Sequence, residues 1–475
     1  VAHLLPDMLG AIAHRGPDAE GTYAGEHGGV GVQLGHRRLS IIDLSDAANQ
    51  PFEKDEFVLV YNGEIYNYKQ LSAELAARGV SFRTTSDTEV LLEAWREWGP
   101  DCLTRLRGMF AFALLNKKTG QLFLARDPFG IKPLFFTVRN GGLAFASELK
   151  AISAALGDEL QIDHTALVSS LMYYWVPEQQ CVFKGVEKLP PGHWAEMSAD
   201  GAFRRHSYFD PQRELIHSKY SDLGADELRA IIEESVEAHL VADVPVSAFL
   251  SGGLDSSLLT AIAAGKGYQI EGYTISFRED DRRLEAMPDD LFYARKIAKQ
   301  YDIPLHEIEI APDVADMLPR MVQFLDEPIG DAAAINAYLI CKAARERGVK
   351  VLLSGMGADE LFGGYRKHYA CMLASQYRRV PSFLRQGVVR PIVDALPVAG
   401  RKRGYRTARW AKRFLSFADM PEEAAFRRSY THYGVPEFGE LLHPDHHGSV
   451  DQLVDEHAEI YGQYKNGNSG DAVNS

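Results

Sequence analysis

Phe249-Leu250-Ser251-Gly252-Gly253-Leu254-Asp255-Ser256-Ser257 decides how the second half of this chain is read. The apolar run Val244 to Leu250 leads into it and predicts a buried strand, and Ser256 to Ile262 predicts the opening of a helix. A strand–turn–helix corner with two glycines and three serines is an anion trap. Free backbone N–H groups and the positive end of the helix dipole point into the turn. Glycine lets a phosphate approach the backbone closely, and serine hydroxyls donate further hydrogen bonds. A Walker loop would need a Lys for the β- and γ-phosphates, and none stands here.

Outward from this corner, helix and strand signals alternate. Leu228, Ile231, Ile232, Val236 and Leu240 recur at helical spacing. Strands are predicted over Tyr273 to Phe277, Leu305 to Ile310 and Val349 to Leu353, with helices over Leu291 to Tyr301, Val314 to Leu325 and Ala334 to Arg347. That order predicts a parallel, doubly wound sheet, whose ligands bind outside the carboxyl ends of the strands. Ser354-Gly355 closes the last of these strands, so it and the Ser251–Ser257 turn can share one nucleotide.

The first half reads as sheet with two helices. Val30, Val32 and Leu34 alternate, and Phe57 to Tyr61 is a second strand. Phe110 to Leu115 and Gln121 to Ala125 flank one hairpin signal, and Leu134 to Val138 and Leu143 to Ala146 flank another. Leu71 to Ala77 and Thr88 to Trp98 read as helices, the second opened by Ser86-Asp87-Thr88-Glu89. Polar clusters interrupt these elements: His14 to Asp18, His36 to Ile41, Tyr61 to Asn67, Thr85 to Asp87, Arg126 to Leu134 and Ser147 to Lys150.

In that order the clusters resemble the class II glutamine amidotransferase domain, an N-terminal-nucleophile (Ntn) hydrolase with an αββα sandwich. Ser251-Gly252-Gly253-Leu254-Asp255-Ser256 resembles the PP-loop of the ATP pyrophosphatases, and Ser354-Gly355-Met356-Gly357-Ala358-Asp359-Glu360-Leu361-Phe362-Gly363-Gly364-Tyr365 resembles the second signature of the asparagine synthetase family. The resemblance implies a two-domain α/β and α+β protein: a glutaminase domain over 1–205, a linker over 206–222 and an asparagine synthetase-like ATP pyrophosphatase domain over 223–475.

It also implies site roles. Glutamine would be held by Arg38, Leu39, Ser40, Ile41, Ile42, Asn62, Gly63, Glu64 and Asp87, with Arg38 on its carboxylate. Gly63-Glu64 and Asp87 would take its ammonium, and Asn62 with the Gly63 N–H would form an oxyanion hole. ATP would bind at Leu250, Ser251, Gly252, Gly253, Asp255, Ser256, Ser257, Ile275, Ser354 and Gly355, with Asp255 and Asp359 as carboxylates for Mg²⁺. Met356 stands where the family usually carries an acid, at the position that faces acceptor activation. Asp326-Glu327-Pro328 and Asp331 are candidates to line the acceptor pocket or to cap the following helix.

The implied reaction is glutamine- and ATP-dependent amidation of a carboxylate through an acyl-adenylate, with aspartate the favoured acceptor and AMP, pyrophosphate and glutamate released. The alternatives are another acceptor (a sugar acid, a peptide or a natural-product carboxylate) or a non-catalytic regulatory descendant. A phosphoribosyl amidotransferase would share the first half, but the PP-loop argues against it. The family nucleophile is a Cys at the mature N-terminus, upstream of where residues 1–13 begin, and no Cys precedes Cys102. The expectation is therefore a chain lacking its first residues and, by the same comparison, a late C-terminal segment.

Composition agrees with an enzyme of this kind. The 475 residues are 46% hydrophobic and 24% charged, and a net charge of −14 argues against nucleic acid as the main partner. No apolar run is long enough to span a membrane. Cys102, Cys181, Cys341 and Cys371 lack metal spacing, which predicts free thiols and a cytoplasmic setting. The resemblance allows a homodimer.

Overall fold

The computed structural model describes residues 4–211, 214, 223–277, 290–310, 314–397 and 406–464. Helix α1 (Leu4–Ala11) precedes an antiparallel hairpin of β1 (Ala19–His27) and β2 (Val30–Arg38). The short β3 (Phe52–Lys54) then pairs with β4 (Phe57–Ile65). Along β4 the side chains sort by parity. Phe57, Leu59 and Tyr61 join one core cluster, and Val58 and Val60 join another. The first cluster is closed by α2 (Tyr68–Ala77) and α3 (Asp87–Trp98) through Leu71, Leu75, Leu91 and Trp95.

β5 (Gly108–Asn116) and β6 (Leu122–Arg126) extend the same sheet. β7 (Phe135–Arg139) and β8 (Gly142–Ala146) form the second predicted hairpin and pack on the other side through Leu134 and Phe136. Helix α4 (Leu149–Leu156) and α1 cover that layer. Helix α5 (His164–Tyr173), the short β9 (Glu187–Lys188), β10 (His193–Met197) and β11 (Phe203–Ser207) complete the half. The main sheet runs β11-β10-β6-β5-β4-β3. Helices, sheet, strands, helices: this is the expected αββα sandwich.

Most of the expected linker, residues 212–213 and 215–222, lies outside the described residues. Helix α6 (Ala225–His239) opens the second half. β12 (Val246–Phe249), α7 (Leu254–Gly265), β13 (Gly272–Phe277), α8 (Asp290–Tyr301), β14 (Leu305–Ile310), α9 (Val314–Leu325), α10 (Ala333–Glu346) and β15 (Val351–Leu353) follow. The sheet order is β14-β13-β12-β15, parallel throughout. Val236, Ala263 and Ala294 bring α6, α7 and α8 onto one face, and Ile340 and Ala344 bring α10 onto the other. The sheet is doubly wound, as the sequence pattern predicts.

After the short α11 (Ala358–Phe362) come helices α12 (Arg366–Tyr377), α13 (Arg406–Leu415), α14 (Glu422–Tyr430), α15 (Val435–Leu441) and α16 (His447–Tyr464). They reach back to the first half: Val168, Met172 and Tyr173 of α5 share a core with Phe438, Val450 and Leu453. A polar seam lies elsewhere. The Asp43 N–H donates to Asp243 Oδ2 at 2.7 Å, the Asp243 N–H donates to the Ile41 carbonyl at 2.9 Å, and Lys350 Nζ meets Asp18 at 2.7 Å.

Glu89 illustrates how buried charge orders the first half. It is fully buried on α3 and accepts from Lys54 at 2.8 Å, from the backbone N–H groups of Arg83 and Thr84, and from the Thr84 hydroxyl. Glu89→Ala leaves the Arg83 and Thr84 donors without their acceptor, while Lys54 keeps Glu93 at 2.7 Å, and should cost about 3 kcal/mol in urea unfolding. A loss under about 1 kcal/mol would show that this network does not hold β3 to α3.

Candidate active sites

A cavity of about 670 Å³ opens between the two sheet layers of the first half. Arg38, Leu39, Ile41, Ile42, Asn62, Gly63, Glu64 and Asp87 all line it, so eight of the nine residues expected for glutamine come together. Ser40 does not line it; its N–H donates to Asp18 at 2.8 Å, and its carbonyl accepts from Lys350.

Each group is placed by its strand or turn. Asn62 and Gly63 sit in β4 opposite Ala111 and Phe110. A Cβ on Gly63 would lie 2.3 Å from the Met109 carbonyl and 2.6 Å from the Tyr61 ring, so this close approach needs glycine. The Asn62 amide Nδ2 is buried without a hydrogen-bond partner among the described residues. An unpaired buried donor is costly and marks a site for an acceptor.

Asp87, at the start of α3, accepts from the Tyr61 hydroxyl at 2.9 Å and from the Ile65 N–H at 3.1 Å. Burial raises its carboxyl above the ordinary range. Glu64 is pushed up to about 7, first by burial and then by the charge of Asp87, while Lys132 acts the other way. Two carboxylates sharing a buried wall favour a cation between them.

Lys132 and Glu148 were not among the expected ligands, although the clusters that carry them stood out in the sequence. Lys132 is delivered by a tight turn. Asp127 accepts from the N–H groups of Phe129, Ile131 and Lys132, and Arg126 donates to the carbonyls of Gly130, Lys132 and Leu189. Burial, and then Arg15, lower the Lys132 ammonium pKa. Glu148 faces the cavity and binds His14 at 3.1 Å and Arg15 at 2.7 Å.

Arg38 shows a geometry that sequence alone does not reveal. Its guanidinium donates to the carbonyls of Ser45 (2.9 Å), Ile42 (3.3 Å) and Asp43 and to Asn49 Oδ1 (2.8 Å). The fork holds the 42–49 loop, and a carboxylate would have to compete with those carbonyls. None of the four cysteines lines the cavity; Cys102 is fully buried in the core beside α3, and burial raises its thiol pKa.

The second site lies at the carboxyl ends of β12 and β15. Gly252 has φ +78°, and a Cβ there would sit 2.2 Å from the Asp290 carbonyl, so the turn requires glycine. Ser251 Oγ lies 3.0 Å from Ser256 Oγ and accepts from the Gly253 N–H at 3.3 Å. Gly253 caps α7, which aims its positive end into the turn with Asp255 and Ser256 in its first residues. A Cβ on Gly355 would lie 2.7 Å from Asp255 Cβ and 3.0 Å from the Ser256 nitrogen, so Ser354-Gly355 rests directly on the turn.

Leu250 is fully buried, with its side chain in the core against Gly272 and only its backbone at the strand end. Ile275 packs with Tyr273 and Ile340. Met356 projects into solvent, 88% exposed, while its N–H donates to Ser354 Oγ at 3.2 Å.

Burial raises the Asp255 pKa, and Asp359 and then Glu360 raise it further. Among the described residues no group of three or more His, Cys, Asp or Glu is placed to hold a metal by itself. Paired acids that repel one another suit Mg²⁺, which takes one or two carboxylates and completes its shell with phosphates and water. Asp331 accepts from the Ala333 N–H at 2.9 Å and so caps α10. Asp326 and Glu327 turn to the first half instead, where Lys150 and Lys188 satisfy their carboxylates.

An αββα amidotransferase sandwich joined to a PP-loop sheet defines a two-domain amidotransferase. Residues 2–209 match the glutamine amidotransferase domain family, and residues 227–459 match the asparagine synthase family. Asparagine synthetase [glutamine-hydrolyzing] 1 of Bacillus subtilis is 35% identical over 438 residues, covering 90% of this chain and 67% of the relative. Asparagine synthetase [glutamine-hydrolyzing] 3 of the same organism is 37% identical over 378 residues, covering 75% and 59%. The amidase chry2 of Gibberella zeae is 31% identical over 405 residues, covering 81% and 58%. The chain belongs to the glutamine-hydrolysing asparagine synthetase family. It spans 58 to 67% of the length of these relatives.

The carboxylate pair in the first cavity makes a direct prediction. In ¹³C NMR the Glu64 carboxyl should titrate near 7. Asp87→Asn should lower that midpoint, because the neighbouring charge is gone while the burial stays. An unchanged midpoint would mean that Asp87 does not act on Glu64.

Proposed function

We propose that this protein amidates a carboxylate with nitrogen from glutamine, using ATP, and that aspartate is the acceptor, giving asparagine. One observation carries the reading: Ser354-Gly355 rests on the Ser251–Ser257 turn, and the charge of Asp359 in the following α11 acts on Asp255. This is the arrangement needed to hold one nucleotide with its metal at the end of a parallel sheet.

In the first domain, proposed over 1–205, Glu64 and Asp87 take the glutamine ammonium. Arg38, with Leu39, Ile41 and Ile42 beside it and Ser40 behind them on Asp18 and Lys350, meets the carboxylate end. Asn62 Nδ2 and the Gly63 N–H receive the amide oxygen as it gains charge. In the second, proposed over 223–475, the backbone and serine hydroxyls of Ser251 to Ser257 bind the outer phosphates. Leu250, Ile275, Ser354 and Gly355 border the rest of the nucleotide. Asp255 and Asp359 hold Mg²⁺, which supplies charge neutralisation on the phosphates when bound. The acceptor carboxylate attacks the α-phosphorus, pyrophosphate leaves, ammonia attacks the acyl carbon, and AMP leaves. Neutral ammonia is the nucleophile, so its path between sites must keep it from protonation. A cytoplasmic setting fits the unpaired cysteines.

A second reading is favoured by Met356. Its apolar, exposed side chain offers neither charge nor a proton acceptor at the acceptor side, and relatives named amidases lie at about the same distance as some synthetases. On that reading the acceptor is a different carboxylate.

Two measurements test the proposal. With full-length protein, ammonium, ATP and Mg²⁺, pyrophosphate release is followed over a panel of carboxylates. Aspartate should outrun the others, and no turnover with aspartate favours the second reading. Asp255→Asn should abolish release; a parental rate would sink the assignment of that site. Separately, glutamine binding should weaken by about tenfold between about pH 8 and pH 6, because Glu64 has a raised pKa and its charge is lost as pH falls through about 7. Glu64→Gln should bind more weakly at pH 8 and lose that dependence, and a flat profile in the parent would contradict the role.

A further inference from the structure

The turn after α9 leaves its own sheet and enters the first domain. Asp326 has φ +63°, an unusual backbone for a residue other than glycine, and that turn aims its carboxylate at the start of α4. Asp326 Oδ2 accepts from the Leu149 N–H at 2.7 Å, and Oδ1 from the Lys150 N–H at 3.3 Å. These are the first amides of α4, whose own N-cap residue, Glu148, makes no side-chain cap. A residue 177 positions away thus caps the helix across the domain boundary.

Glu148 turns instead into the glutamine cavity, onto His14 and Arg15. Lys150 Nζ bridges the two acids: it bonds Glu148 and lies 2.8 Å from Asp326 Oδ1. Next along the turn, Glu327 meets Lys188 Nζ at 2.6 Å and the Val182 N–H at 3.1 Å. The Gly330 N–H donates to the Tyr174 carbonyl at 2.7 Å, and a Cβ on Gly330 would lie 2.3 Å from the Tyr174 ring. Phe324, at the end of α9, packs edge-on to His14 with ring centroids 5.3 Å apart.

The far end of the turn leads to the nucleotide side. Asp331 caps α10, and α10 packs through Ile340 onto the parallel sheet beside Ile275.

We propose that the Asp326–Gly330 turn is the joint that couples the two active sites, with Asp326 a positioning residue that acts on the glutamine cavity through Lys150 and Glu148. The inference rests on the amide-transfer reading above and names the residues that keep its two half-reactions in step. Seated, the turn fixes α4 and therefore the Glu148 side of the cavity. Unseated, glutamine is still hydrolysed, but its ammonia is no longer matched to acyl-adenylate and is lost to solvent.

The test uses full-length protein and the variants Asp326→Ala, which loses cap and charge, and Asp326→Asn, which keeps an acceptor for the Leu149 amide. Glutamate and pyrophosphate are counted with glutamine as nitrogen source, and pyrophosphate again with ammonium. In Asp326→Ala the glutamate-to-pyrophosphate ratio should rise by about fivefold or more, while the ammonium-driven rate stays within about twofold of the parent. Asp326→Asn should lie between. A ratio unchanged in Asp326→Ala, or an ammonium-driven rate that falls as far as the glutamine-driven one, overturns the joint. Hydrogen exchange at the Leu149 and Lys150 amides is read in the same samples. It should accelerate by about tenfold or more in Asp326→Ala, since the cap is gone. Parental protection of both amides overturns the joint even if the parent makes no glutamate, an outcome that would separately defeat the functional reading.

Discussion

Carboxylates whose charge acts on a neighbouring carboxylate are the constraint on which both sites depend. Glu64 and Asp87 share a wall of the first cavity, and at the end of the parallel sheet the charge of Asp359 acts on Asp255. Burial and a neighbouring carboxylate disfavour the charged form of Glu64 and of Asp255, so each gains when a cation arrives. The two cations differ in chemistry. An amino-acid ammonium suits a cavity that also offers a buried amide donor, Asn62 Nδ2. A hard divalent ion suits acids beside a phosphate-binding turn. The surrounding fold serves to hold these pairs: β4 and the start of α3 for one, the ends of β12 and β15 for the other.

The same logic, with opposite outcome, governs the boundary between the halves. There the acids are paired. Asp326 meets Lys150 and two helix amides, Glu327 meets Lys188, and Asp18 meets Lys350. Acids that find cations within the chain fix geometry, and acids that do not are left for ligands.

Much of this was legible in the sequence. The strand–turn–helix corner at Ser251 reads directly, because its glycines and serines act through neighbours a few residues away. The alternation in β4 and the capped start of α3 are likewise local signals. What was not legible depends on distant partners. Asp326 and Glu327 look like pocket acids in sequence, yet their partners stand at 148–150 and 182–188, in another domain. Arg38 reads as a free fork, and only the folded chain shows the 42–49 carbonyls around it. Lys132 is visible as a residue but not as a cavity wall, since its place comes from the turn built by Arg126 and Asp127.

The central claim is that the two sites work as one, with nitrogen passing between them inside the protein. It is tested most directly by isotope competition. Full-length protein is given glutamine labelled with ¹⁵N in the amide, unlabelled ammonium in excess, ATP, Mg²⁺ and the preferred carboxylate, and the product amide is read by mass spectrometry. The account predicts an amide that carries ¹⁵N almost entirely, despite the excess of unlabelled ammonium. An amide labelled only to the level of the mixed nitrogen in solution would contradict it.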